Sequence, residues 1–234
     1  DESFTTTLSN HVSKIDFQLS SLHYPNTVPK PVMRNWFQVA DELMKDEDFG
    51  KPLSDNNGWL SDDVKKLTSD AAGKREKVKK IFEFVRDNFT CTDHSAKYIY
   101  TSLKKVFDAK KGNVAELNLL LGAMLKKAGF EVQPLLLSTR NHGKAYEEYP
   151  VMDRLNYVII RAEIDGQYVL LDASDARIGF GKLPIECYNG PARVIAEMPA
   201  IVQLSPDSLK EAKVTSVFIM NSENKRGLQG SFTS

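Results

Sequence analysis

Cysteine is scarce in this sequence. Its 234 residues include only Cys91 and Cys187, so at most one disulfide could form, and the dense cross-linking by which small secreted scaffolds replace a core is excluded. Long apolar runs are absent too: none approaches the roughly 20 residues that span a bilayer, and Asp1-Glu2-Ser3-Phe4-Thr5 has neither the basic nor the apolar region of a signal peptide. Neither sign of charge is in excess. The 31 Lys and Arg balance the 31 Asp and Glu, which removes the global field that draws proteins to nucleic acid or anionic membranes. There is no internal repeat and no low-complexity tract. What remains is a chain long enough for one sizeable core, or for one domain with pieces of its neighbours attached.

Both ends read as β structure. Val12, Ile15, Phe17, Leu19 and Leu22 alternate in part, which predicts a strand over residues 12 to 22 that leads into Tyr24-Pro25-Asn26. Val214 to Met220 is a second β-rich run, followed by the turn-like Asn221-Ser222-Glu223-Asn224 and a short Leu228-Gln229-Gly230 stretch. The expected division is therefore residues 1–30 as an extended strand, remnant or linker of a preceding β domain, 31–200 as the main domain, and 201–234 as the start of a following β-rich domain. The chain then reads as a middle portion of a longer protein.

Between these ends lies a helical half. Met33, Trp36, Phe37, Ala40, Leu43 and Met44 follow helical spacing, Ser61-Asp62-Asp63 starts a short helix with Val64 and Leu67, and Val78, Ile81, Phe82, Val85 and Phe89 repeat at three and four residues. The lysines near 74 to 80 and 104 to 111 read as solvated faces. The strongest element is Gly112 to Gly129. Asn113 and Glu116 stand as a capping box, Lys126, Lys127 and Gly129 close the far end, and Leu117, Leu120, Leu121, Met124 and Leu125 make a wide apolar face, so this helix should be buried and central.

Strands are expected at Val132 to Ser138, Asn156 to Glu163 and Gln167 to Asp172, the last two joined by Asp165-Gly166, a two-residue hairpin turn that needs positive φ. That loop sets the register: Ile159 lies opposite Asp172, so Tyr157 and Asp172 share one face as diagonal neighbours. The other face carries Val158, Ile160, Ala162, Val169, Leu171 and Ala173, which is core. The fold class is α+β, with a buried central helix packed on an antiparallel sheet and further helices on the N-terminal side.

The order of buried helix, strand and hairpin ending in Leu171-Asp172-Ala173-Ser174 resembles the core of transglutaminase-like proteins, which share the papain-like fold of cysteine enzymes. In that family a cysteine follows a Gly-x pair at the start of the buried helix, a histidine lies in a pattern like Asn-His-Val, and an aspartate in one like Leu-Asp-Ala-Thr. Here Gly112-Asn113-Val114, Leu155-Asn156-Tyr157-Val158 and Leu171-Asp172-Ala173-Ser174 occupy those places, over about residues 75 to 185. No catalytic triad is intact: the positions hold Val114, Tyr157 and Asp172. A valine has no ionisable atom to become the nucleophile, and a phenol with a reference pKa of about 10 is a poor base near neutral pH.

Flanking stretches, Ser138-Thr139-Arg140 with His142-Gly143 and Gly181-Lys182-Leu183-Pro184 with Cys187 and Asn189-Gly190, are similar to a bacterial envelope subgroup of the family. The resemblance implies a non-catalytic binding or scaffold module in a periplasmic or extracellular setting. The alternative is a peptidase, amidase or acyl transferase with an atypical site built from Asp172, Tyr157, Glu116 or His142; a spacer between β domains is a third reading. Asn118, Arg140, Tyr157 and Asp172 are the candidate ligand contacts, the ligand being a peptide, a cell-wall fragment or a glycan. Neither nucleic acid nor membrane insertion is expected. No cofactor is implied, and no metal either, because the Cys-x-x-His pair of Cys91 and His94 has no second pair at ligand spacing.

Overall fold

The computed structural model describes residues 7, 10, 12, 13, 15, 17, 19–209, 216–221 and 228–233. They form two units, divided between Leu204 and Ser205. The first unit opens on a short antiparallel pair, β1 (Ser21–Leu22) with β2 (Lys30–Pro31), followed by α1 (Trp36–Lys45), α2 (Lys51–Ser54), α3 (Ser61–Thr68) and α4 (Lys74–Asn88). Then come β3 (Thr90–Cys91), α5 (Leu103–Ala109), β4 (Lys111–Gly112) and α6 (Val114–Lys127), and after them β5 (Val132–Leu137), β6 (Tyr157–Ile164), β7 (Gln167–Leu171), β8 (Gly190–Val194) and β9 (Ile201–Leu204).

The expected strand over 12 to 22 reduces to Ser21–Leu22. Among the described residues before it, Ile15 is 81% and Phe17 95% exposed. Their alternation has no sheet face to bury against, and alternation without a partner strand does not hold a strand. Other residues of that stretch lie outside the described set.

Helix α6 is the centre of the unit. The Asn113 side chain accepts from Glu116 N while the Glu116 carboxylate accepts from Asn113 N, the reciprocal cap read from the sequence. Every residue from Val114 to Leu125 is buried. One side packs on β5 and β6, and the others on α2, α4 and α5. Gly122 sits where a Cβ would come within 2.9 Å of Leu53 Cδ2 and 3.2 Å of Ile160 Cδ1, so a helix interior tolerates glycine there for the sake of close packing.

The sheet runs β7-β6-β5-β8-β9, every neighbouring pair antiparallel. Asp165 and Gly166 take φ of 52° and 80°, and Ile164 pairs with Gln167 and Ile160 with Leu171, the register derived from the two-residue turn. Because β9 pairs with β8, this sheet extends through Leu204.

The lysine stretch from 104 to 111 is more than a solvated face. It contains α5, with Leu103 and Val106 buried, and Lys110 Nζ lies over three rings, 3.7 Å from the centroid of Phe107, 4.4 Å from that of Phe89 and 5.2 Å from that of Phe84. In the second unit β10 (Ser216–Asn221) pairs antiparallel with β11 (Leu228–Thr233).

Candidate functional site

Parallel pairing of β3 with β4 fixes the start of α6. Thr92 N donates to Gly112 O and Val114 N to Asp93 O, both at 2.8 Å, so the first helical residue is tied to the strand beside it. The Glu116 carboxylate accepts from three backbone amides, those of Asn113 (2.7 Å), Thr101 (2.8 Å) and Tyr100 (3.0 Å). It is thus the anchor for the chain entering α5. A Cβ on Gly112 would approach Glu116 Oε2 to 2.8 Å and Val106 Cγ1 to 3.1 Å. Gly112→Ala should therefore lower stability by roughly 1–3 kcal/mol through overpacking against the anchor. The check is a drop in the denaturant midpoint with an unchanged slope; an unaltered midpoint would mean that the carboxylate swings aside at no cost.

Val114 and Asp172 are 0% exposed and Tyr157 is 3% exposed. Asn118, one turn along α6 from Val114, joins the helix to the hairpin: its Nδ2 donates to Val158 O (2.9 Å) and Asp172 Oδ1 (3.1 Å), and its Oδ1 accepts from Ala173 N (2.9 Å). The Tyr157 hydroxyl donates to Asp172 Oδ2 at 2.7 Å and lies 2.9 Å from Ser174 Oγ, while Ser174 N donates to Asp172 Oδ1 at 2.9 Å. Both carboxylate oxygens thus have donors inside the protein. Among the described residues no buried side-chain nitrogen or oxygen lacks a partner.

This environment suppresses ionisation. Burial, reinforced by the Asp172 carboxylate, holds the Tyr157 phenol well above its ordinary range. Burial likewise raises the Cys187 thiol well above its usual value, again with Asp172 contributing, and pushes Cys91 up to about 12. Both cysteines are free thiols, and Cys91 directs its sulfur to Asp93 O. Neither has the electropositive surroundings that make a thiolate.

On the solvent side of Tyr157 opens a cleft of about 540 Å³. Asp93, His94 and Ser95 from the segment after β3 line one part. Thr139, Asn141, His142 and Asn156 come from the β5–β6 connection, and Asp175, Arg177, Pro184 and Glu186 from the chain after β7. Of the four candidate contacts, Tyr157 lines this cleft. Asn118 and Asp172 turn their polar atoms to each other and to the backbone, and Arg140 donates its backbone N–H to Glu186 O. His142 does line the cleft, its Nε2 lying 2.8 Å from Asp153 O. Arg177 grips Asp175 bidentately, Nε to Oδ1 at 3.1 Å and Nη2 to Oδ2 at 2.7 Å. Of the residues contributed after β3 and after β7, the sequence reading singles out His94, as half of a metal pair, and Pro184, within a flanking motif. Asp175-Ala176-Arg177, beside the aspartate motif, was the available signal.

The profile of the Transglutaminase-like superfamily matches residues 61–173, a span that contains Val114, Tyr157 and Asp172. Two solved structures share similarity at low identity. A candidate protease from Parabacteroides distasonis superposes with a TM-score of 0.53 and 14% identity over 90% of this chain and 42% of its own. A candidate cysteine protease from Cytophaga hutchinsonii gives 0.42 and 14% over 63% of this chain and 41% of its own. This chain thus spans less than half the length of either protein. No curated protein matches its sequence significantly. Helix, hairpin and family profile agree with the first of these folds, and residues 61–173 are a transglutaminase-like domain.

Proposed function

We propose that this chain is a non-catalytic transglutaminase-like module that holds a ligand in the cleft beside Tyr157. The observation that carries this reading is the closed network of Asn118, Asp172, Tyr157 and Ser174 behind the buried Val114. A cysteine enzyme of this family needs a thiolate and an imidazole that accepts and returns its proton. Here the equivalent positions hold a side chain without an ionisable group and a phenol kept neutral, and the aspartate that would orient an imidazole is occupied by that phenol. Glu116, a possible acid for an atypical site, is saturated by backbone amides. The protease names of the two similar structures belong to those proteins. A cleft of about 540 Å³ is within the range of small-ligand and peptide sites, and its amide, hydroxyl and carboxylate groups suit polar recognition. Placement in a bacterial envelope, periplasmic or extracellular, rests on the resemblance of the flanking motifs.

The test is incubation with p-nitrophenyl acetate, followed optically and by intact-protein mass. No burst and no acyl adduct are expected, and alkylating both cysteines should leave the background rate unchanged. A burst lost in folded Cys91→Ser or Cys187→Ser protein would overturn the proposal in favour of an enzyme.

A further inference from the structure

A second cavity lies away from the cleft. It measures about 420 Å³, within the range of small-ligand sites, and shares no wall residue with the cleft beside Tyr157. Two stretches build it, residues 47–59 around α2 and residues 99–104 leading into α5. They are tied together where Ile99 N donates to Asp48 O at 2.9 Å, and the second stretch is fastened again by Tyr100 N and Thr101 N on the Glu116 carboxylate. Asn57 fixes the turn that carries Trp59: its Nδ2 donates to Pro52 O at 2.9 Å and its Oδ1 accepts from Trp59 Nε1 at 3.2 Å. The Trp59 ring meets Phe107 of α5 edge to face at 5.4 Å. The walls are therefore set before any ligand arrives, which removes an ordering cost from binding.

These walls combine rings with polar groups of both kinds. Trp59 and Tyr100 contribute the rings, and Tyr100 is 78% exposed although its backbone is anchored. Among the described residues the Tyr100, Thr101 and Ser102 hydroxyls and the Asp48 carboxylate have no hydrogen-bond partner. Three carboxylates, Glu47, Asp48 and Asp55, stand against two ammonium groups, Lys51 and Lys104, and Lys51 already donates to Glu47 at 2.6 Å. Pro52, Ile99 and Leu103 are the apolar remainder.

Each class of ligand meets this wall differently. A phosphate or carboxylate faces three like charges. A cation is drawn by the rings and by Asp48 and Asp55, yet Lys104 opposes it and Lys51 already fills the cationic place beside Glu47. An apolar group would strip water from charged side chains and return no hydrogen bond. A pyranose matches both parts: its hydroxyls donate to carboxylates and accept from hydroxyls and ammonium groups, while its C–H face rests on the negative face of an aromatic ring.

We propose that this cavity is a carbohydrate site for a pyranose unit of a neutral glycan, with Trp59 and Tyr100 as the stacking surface and Asp48, Ser102 and Lys104 among the groups that hold its hydroxyls. It does not rest on the reading of the cleft, so the two can fail separately.

The test titrates the whole chain with maltotriose, cellotriose and N-acetylchitotriose at millimolar concentration while amide chemical shifts are followed, with tetramethylammonium and phenyl phosphate as the competing classes. At least one trisaccharide should move resonances of residues 47–59 and 99–104 and leave those of 93–95 and 139–142 in place. Tyr100→Ala should weaken that binding roughly three- to tenfold, the worth of one aromatic contact, and Tyr100→Phe should weaken it less. The melting temperature should stay the same in both variants, because so exposed a ring stabilises little. Flat spectra with all three sugars, or sugar binding that Tyr100→Ala leaves unaltered, would overturn the proposal. Tetramethylammonium or phenyl phosphate held at these positions more tightly than any sugar would overturn the ligand class. Sugar shifts confined to the cleft would overturn this site and leave the cleft as the place where ligand binds.

Discussion

Asn118→Ala is expected to lower the unfolding free energy by roughly 3–5 kcal/mol, a large fraction of the roughly 5–15 kcal/mol by which a domain is stable. Three bonds disappear together, leaving Val158 O and Ala173 N unpaired in the core and removing one donor from Asp172 Oδ1. An unpaired buried polar group costs roughly 1–3 kcal/mol, and the space left in a helix that is buried along most of its length adds a cavity cost. Asn118→Asp should be worse than its near-equal volume suggests, because it sets a second carboxylate against the first. Guanidinium denaturation followed by circular dichroism measures both. A loss below about 1 kcal/mol for the alanine variant would mean that water or a rearranged side chain serves these groups.

Alkaline pH should unfold the protein with unusual steepness. Burial raises the folded-state pKa of Cys187 above its ordinary 9.0 and that of Tyr157 above its ordinary 10.0. For a group raised on folding, the stabilising contribution is complete below the unfolded pKa and is lost as pH rises toward the folded value. Here the unfolded chain releases protons that the folded chain retains, so stability falls with pH. Each group contributes a slope of up to about 1.4 kcal/mol per pH unit, Cys187 from about pH 9 and Tyr157 from about pH 10. The combined Cys187→Ala, Tyr157→Phe variant should start less stable at pH 7 yet lose less between pH 9 and 11. Parallel curves for variant and parent would assign the alkaline loss to other groups.

The legible parts of the molecule were those whose signals are local. Asn113 and Glu116 are three residues apart and announce the start of α6, and Asp165-Gly166 sets a register from which the meeting of Tyr157 and Asp172 follows. The network around Asp172 was half legible: a buried amide one turn past Val114 implied partners, while which partners depended on tertiary packing. Helix α5 was hidden because Lys104, Lys105, Lys110 and Lys111 outweigh Leu103 and Val106 in any reading by charge. Strand β8 was hidden for a different reason. It contains Pro191 and Arg193, poor strand signals, and Arg193 is accommodated because its guanidinium stacks 4.5 Å over the Trp36 ring and donates to Glu147 O, partners far away in sequence. The cleft suffers most from this limitation, since three separate loops build it.

The Glu147 carbonyl, which accepts from both the Trp36 indole and the Arg193 guanidinium, also bears on the order in which the molecule is completed. Its two donors lie 111 positions before it and 46 positions after it. A nascent chain that has just finished β7 holds α6 and the hairpin, yet it lacks Asn189, which donates to Ser138 O and Gly143 O, and Arg193, so the β5–β6 connection is not yet held. Contacts of such sequence separation close late, after the entropy of the intervening chain has been overcome. The β5–β6 connection therefore takes its final shape after the core, once β8 has joined the sheet.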